Sequence, residues 1–185
     1  MDILVFDDAA QWEAWLAEHY ASSSGVWLRV GKKNSGKVSI TITEALDVAL
    51  CYGWIDSQRK AYDEAHFLQR YSPRRPNGAW SKVNIEKAEA LITAGRMREP
   101  GMAEVLAAKA DGRWDAAYES QRIATVPPEL AAILERNERA KRAFEVLGRT
   151  DRYLMLLPVL KARTTAAREK RLQTVIAALE GAGAP

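Results

Sequence analysis

Between Ala45 and Asn84 the chain reads ALDVALCYGWIDSQRKAYDEAHFLQRYSPRRPNGAWSKVN. Trp54, Asp56, Arg59, Arg70, Arg74, Arg75, Trp80 and Lys82 all fall in this stretch. Cations, aromatics and a carboxylate at such density suit anion recognition or proton transfer better than they suit a core. Asp56 follows Gly53, Trp54 and Ile55, where a helix hands over to a strand, a position that can project a carboxylate into a cleft. Beside Arg59, Arg70 or Arg74 it stays ionised and orients a guanidinium. In a desolvated pocket it could act as a base, which makes Asp56 the one catalytic candidate. Arg74 and Arg75 lie between Pro73 and Pro76, which restrict the loop and lower the entropy lost on binding. Guanidiniums held this way suit a carboxylate or phosphate. Trp80 adds a flat stacking face, and Ser81 and Asn84 open a helix whose first N–H groups favour an anion. With Lys32 and Trp54, the expected ligand-binding set is Lys32, Trp54, Asp56, Arg70, Arg74, Arg75, Trp80, Ser81 and Asn84. Plain structural roles compete for the same residues: an Asp–Arg pair, a solvated arginine loop, a tryptophan that only staples a helix.

Other motifs carry less. Gly31 to Val38 (GKKNSGKV) has the glycine and lysine spacing of a phosphate-binding loop. Val38 stands where a hydroxyl must hold magnesium, and an extended segment follows instead of a helix, so a cationic hairpin turn explains it. His19 and His66 are far apart and Cys51 is the single cysteine, so no metal site and no cofactor are expected. Cys51 lies in the most apolar helical segment and reads as an inert packing thiol. A second cationic cluster, Arg163, Arg168, Lys170 and Arg171, crowds the start of the last helix. Cations there oppose the helix dipole and require a compensating carboxylate or an anionic ligand.

These residues must be positioned by elements that the periodicity marks out. Asp8 and Gln11 open a helix over about 9–20 with Trp12, Trp15 and Leu16 on one face. Residues 25–30 read as a strand, and 38–40 as a short extended piece. Thr41 and Glu44 form a capping box for a buried helix that ends at Gly53. Segments 57–62 and 66–71 predict an antiparallel hairpin, and SPRRPNG (72–78) a loop. Helices follow from Ser81 to Gly95, over 101–110, from Pro128, from Asn137, over 151–161 with a kink at Pro158, and a last one along the stripe Leu172, Val175, Ile176 and Leu179, before a tail at 181–185. The fold class is α+β: a small antiparallel sheet around a buried helix, then a helical C-terminal half. The expected division is an α+β lobe over 1–112 carrying the ligand cleft and a helical lobe over 113–185, packed as two lobes or as one continuous domain.

Composition sets the outer bounds. The chain has 185 residues, a formal charge of +3 and ordinary hydrophobic content of 48%. Asp56, Asp63 and Glu64 interrupt the basic stretch, which argues against nucleic acid, although aromatics interleave with cations as in a single-strand groove. No signal peptide or membrane-spanning run is present in the residues, so a cytoplasmic protein is expected.

The quoted motifs carry a resemblance. GVWL (25–28) with Lys32-Lys33, ALDVALCYGWID, YSPRRP, WSKVN (80–84), Gly95-Arg96-Met97, Gly112-Arg113-Trp114, Val126-Pro127 and Thr165…Arg168…Arg171-Leu172 resemble the bacterial YdeI/OmpD-associated family, also called bacteriocin-protection proteins. The resemblance runs from about Trp12 to Leu179. It implies a small cytoplasmic α+β protein linked to stress or antimicrobial tolerance, with no established reaction. Together the residues predict a binder of a small anionic or amphipathic molecule. A metal-independent acid–base enzyme using Asp56 and a weak single-stranded nucleic-acid binder are the alternatives.

Overall fold

The structure, a computed structural model, describes residues 3–33 and 35–182. Asn34 of the cationic loop and residues 183–185 of the expected tail lie outside the described residues. The chain is α+β, with four strands and eight helices among the described residues. It divides into two compact units: Met1–Gly78 with Asn84–Asp115, and Ala79–Val83 with Ala116–Pro185.

The first unit is built on a four-stranded sheet of order β1-β2-β4-β3. Its strands are β1 (Ile3–Leu4), β2 (Val26–Gly31), β3 (Trp54–Ala61) and β4 (His66–Pro73). β3 and β4 pair antiparallel, as the hairpin pattern predicts, and β2 pairs antiparallel with the other edge of β4. β1 adds a parallel edge through Ile3↔Trp27 and Leu4↔Leu28, making the sheet mixed. At two residues it is too short to show an alternating pattern. Residues 38–40 form no strand; instead the Ile40 N–H donates to the Phe6 carbonyl at 3.1 Å and its side chain is buried.

Two helices cover one face of the sheet. α1 (Ala9–His19) is capped by Asp8, whose side chain accepts from Gln11 N–H, and it buries Trp12 and Leu16. α2 (Ile42–Cys51) opens on the complete Thr41/Glu44 capping box and buries Ala45, Val48, Ala49, Leu50 and Cys51. Trp12, Trp15, Trp54 and Tyr71 form an aromatic cluster at ring separations of 5.4–6.2 Å. Val26, Leu28 and Val30 face the same side, because alternate residues of a strand share a face. Gly53 ends α2 at φ +71°, a conformation that costs glycine little, and the chain turns directly into β3. α3 (Lys82–Thr93) and α4 (Glu99–Ala110) follow. At Gly101 a Cβ would overlap the Leu50 and Cys51 carbonyl oxygens, so glycine lets α4 lie directly on the end of α2.

The second unit has its own core. α5 (Pro128–Arg136), α6 (Glu138–Val146), α7 (Arg149–Leu160) and α8 (Thr165–Ala182) bury Leu130, Phe144, Leu156, Val159, Val175 and Leu179 together. Pro128 occupies the first turn of α5 and Asn137 caps α6 through Ala140 N–H, both as the residue types require. The Arg168 guanidinium is forked onto Glu129 at 2.8 and 3.2 Å, so a carboxylate from another helix offsets part of the basic start of α8. No helix among the described residues is long and apolar enough to cross a membrane.

Candidate functional site

Strand alternation sorts the expected site residues. On β4, Phe67, Gln69 and Tyr71 share the face covered by α1 and α2, and Leu68 and Arg70 take the other. Arg70 pairs with Trp27, so it projects away from Tyr71. β3 would do the same to Asp56 and Arg59, three residues apart, if it were regular. It carries a bulge instead: Asp56 pairs with Tyr71 and Arg59 with Gln69, so three steps on β3 match two on β4. The extra residue turns Asp56 and Arg59 to one face, as bulges do where a side chain must be re-aimed.

Gln69 fixes what the bulge delivers. It is 2% exposed, its Nε2 donates to the Gln58 carbonyl at 3.1 Å, and its Oε1 accepts from Arg59 Nε at 2.9 Å. The Arg59 guanidinium then lies 4.5 Å from the centre of the Phe67 ring, a cation–π contact. Arg59 is thus an exposed cation whose root is held by a buried amide and whose flat face rests on an aromatic.

Arg59 and Phe67 line a cleft of about 510 Å³. Val30, Ile40, Ile42 and Phe67 supply its apolar surface, and Lys32, Lys33, Lys37 and Arg59 its charge. No acidic residue among those described lines it. Among the described residues none of the four cations is in an ion pair. Lys32 Nζ donates only to the Asp63 carbonyl, at 2.9 Å. Thr41 and Ile42 bring the positive end of α2 to the same cleft, with Glu44 already taking the Thr41 N–H at 3.0 Å. The loop read as a plain cationic turn therefore shares a concavity with Arg59.

Deeper on the same sheet face lies Asp56. Burial raises its pKa, a bond from its own backbone N–H opposes this, and the charges of Arg59 and then Arg74 oppose it further. Opposite it, Tyr71 is fully buried, and its hydroxyl has no hydrogen-bond partner among the described residues. Burial pushes that phenol up, and the Asp56 charge adds to the effect. Arg74 is 8% exposed and its N–H donates to the Gly53 carbonyl at 3.0 Å. Asp56 therefore lies within electrostatic reach of both Arg59 and Arg74.

The other expected residues take different places. Trp54 is 1% exposed, stands edge-on to Trp12 and Trp15, and donates Nε1–H to the Tyr20 carbonyl at 3.1 Å. Arg75 is exposed. Trp80 is buried and, with Ser81, belongs to the second unit, whereas Asn84 belongs to the first. Cys51 is buried, and burial pushes its thiol up to about 11, which suits packing and not nucleophilic attack. No group of three potential metal ligands occurs among the described residues. Lys33, Lys37, Phe67 and Gln69 are not among the residues the sequence points to. The signal for the lysines was the GKKNSGK loop itself, and for Phe67 the interleaving of aromatics with cations; Gln69 carries none, because its part depends on the bulge.

The chain belongs to the family described as Domain of unknown function (DUF8412), whose model matches residues 4–104. Residues 124–181 match the family Bacteriocin-protection, YdeI or OmpD-Associated. The resemblance seen in the C-terminal motifs is thus to the family that matches there. The motifs from GVWL to Gly95-Arg96-Met97 fall in the segment of unknown function, and Gly112-Arg113-Trp114 lies in neither. No curated protein and no solved structure matches the chain.

Proposed function

We propose that the first unit binds a small anionic, amphipathic molecule in the cleft lined by Lys32, Lys33, Lys37 and Arg59. One observation carries this reading: among the described residues, four cations without ion pairs surround an apolar floor that no acidic residue lines. Crowded like charges repel one another, and an incoming anion relieves that repulsion while gaining their attraction. The size lies within the range of small-molecule sites. Phe67 and Ile42 would cover the apolar part of the ligand, and Arg59, already oriented, would meet the anionic part at low entropic cost. A role in stress or antimicrobial tolerance rests on the description of the C-terminal family match, and a cytoplasmic location on the residue pattern.

The test uses phenyl phosphate as probe and phenol as its neutral counterpart, titrated by calorimetry at low and high salt. Phenyl phosphate is expected to bind, phenol at least about tenfold more weakly, and salt to weaken only the former. Arg59→Gln with Lys37→Gln is expected to abolish the difference between the two probes. Equal affinity for phenol and phenyl phosphate would remove the basis of the proposal.

A second reading has its own support. Asp56 is a half-buried carboxylate whose pKa is raised, facing the buried phenol of Tyr71. Such a group suits proton transfer from a bound molecule. If a substrate is found, turnover that is lost in Asp56→Asn while probe binding persists would support this role; turnover kept in Asp56→Asn would end it.

A further inference from the structure

The second unit holds a pocket of about 390 Å³ between α6, α7 and the segment before α5. Phe144, Leu147 and Leu156 make its apolar wall, and Arg122, Arg149 and Arg152 its charge. We propose that this pocket is a second, independent site, which takes a carboxylate attached to an apolar group. Two of the three arginines are held through backbone carbonyls. Arg149 Nη2 donates to the Arg122 carbonyl at 3.0 Å, and Arg152 Nε donates to the Phe144 carbonyl at 3.1 Å, with its Nη2 on the Glu145 carbonyl. The Arg152 guanidinium also lies 5.4 Å from the centre of the Phe144 ring.

These bonds fix orientation without cancelling charge, because a carbonyl carries only a dipole. The end of α6 attracts Arg152 through the helix dipole, a partial charge that leaves most of the cation uncompensated. Among the described residues none of the three arginines has a carboxylate partner. The same unit does pair an arginine elsewhere: Arg168 is forked onto Glu129. In Arg152 the same Nε and Nη2 edge is spent on the two carbonyls, which leaves its Nη1 side, with the remaining N–H groups of Arg149, to meet a carboxylate. The volume is near the lower end for small-molecule sites, so the apolar part is about the size of one aromatic ring or a short branched chain. A free acid and the C-terminal residue of a peptide both present this chemistry.

The experiment follows the methyl NMR signals of the full chain during titration with 4-phenylbutyrate, to about 10 mM. The expected result is a shift of the Val126, Leu147 and Leu156 methyls; Ile40 and Ile42, which line the lysine cleft, report any binding there separately. The neutral 4-phenylbutyramide is expected to bind at least about tenfold more weakly. Arg149→Gln, an exposed substitution with one bond to lose, is expected to weaken binding about 3- to 10-fold with the rest of the spectrum unchanged. Arg59→Gln in the first unit is expected to leave the shifts at Val126, Leu147 and Leu156 unchanged, which separates this site from the lysine cleft. An acetylated peptide ending in phenylalanine that binds more tightly than 4-phenylbutyrate assigns the site to chain termini; weaker binding assigns it to free acids; the site stands in both cases. The proposal is overturned if the amide binds as well as the acid, if Arg149→Gln and Arg152→Lys both keep full affinity, or if no methyl of this pocket shifts.

Discussion

Replacing Gln69 by methionine tests whether the lysine cleft is pre-organised or merely charged. Gln69 is 2% exposed and makes two bonds, one to a carbonyl and one to the Arg59 guanidinium. Losing the carbonyl bond costs about 1 kcal/mol. The charge-assisted bond would cost more if buried, but Arg59 is exposed and water replaces the lost partner, so about 1 kcal/mol is again appropriate. Methionine has a similar volume and needs no partner, which returns about 1 kcal/mol of the desolvation that the amide required. The net loss is about 1 kcal/mol, a fall in Tm of about 2–4 °C for a chain of this size. Binding should suffer separately. A released Arg59 regains rotamer freedom that it must lose again on the ligand, about 0.5–1.5 kcal/mol, or about 2- to 12-fold in Kd for phenyl phosphate. Calorimetry on the Gln69→Met and Arg59→Gln variants separates orientation from charge. If Arg59→Gln weakens the probe and Gln69→Met leaves it untouched, the held guanidinium has no part in recognition and the reasoning fails.

Two further substitutions probe the first unit. Asp56 has a folded-state pKa raised above its ordinary 3.8, so its charged form is disfavoured by folding. Its cost to stability is present above the folded pKa and disappears below 3.8. Asp56→Asn is therefore expected to raise Tm at pH 7, with the gain gone in acid; a lower Tm at pH 7 would show that Arg59 and Arg74 depend on its charge. Gly101→Ala is expected to destabilise by about 1–3 kcal/mol in urea unfolding, because the new Cβ would overlap the Leu50 and Cys51 carbonyls. A loss below about 0.5 kcal/mol would mean that α4 shifts freely on α2.

Local signals in the sequence were strong where one residue type has one local use. The Thr41/Glu44 box, the Asp8 and Asn137 caps and Pro128 in the first turn appear where their chemistry requires. β1 left no trace, since two residues cannot show a period. The site was legible only in part, and for a physical reason. Arg59 and Asp56 meet on one face because of a bulge, and nothing in WIDSQRKA marks where the extra residue falls. Trp54 looked like a ligand platform because it stands among cations, yet its indole is spent on the aromatic cluster and on the Tyr20 carbonyl. Composition places residues in a neighbourhood; strand parity decides which way they face.

The two family matches fall in different units, and each unit's pocket uses cations in its own way. In the lysine cleft only Arg59 is anchored by a side chain, while Lys33 and Lys37 line it with no bond from a side-chain nitrogen among the described residues. An ammonium on a flexible stem is an adaptable point charge, which favours anions of varied shape. In the arginine pocket both Arg149 and Arg152 are tied to carbonyls. A tethered planar fork rewards one orientation of a planar anion and penalises others. The cleft should then discriminate poorly among phosphates, sulfates and carboxylates of similar apolar size, whereas the arginine pocket should prefer the carboxylate. A competition series with one aromatic group and those three head groups, read at the Ile40 and Leu147 methyls of one sample, would show a flat order at the first and a steep one at the second. Equal steepness at both would mean that tethering has no bearing on selectivity in this chain.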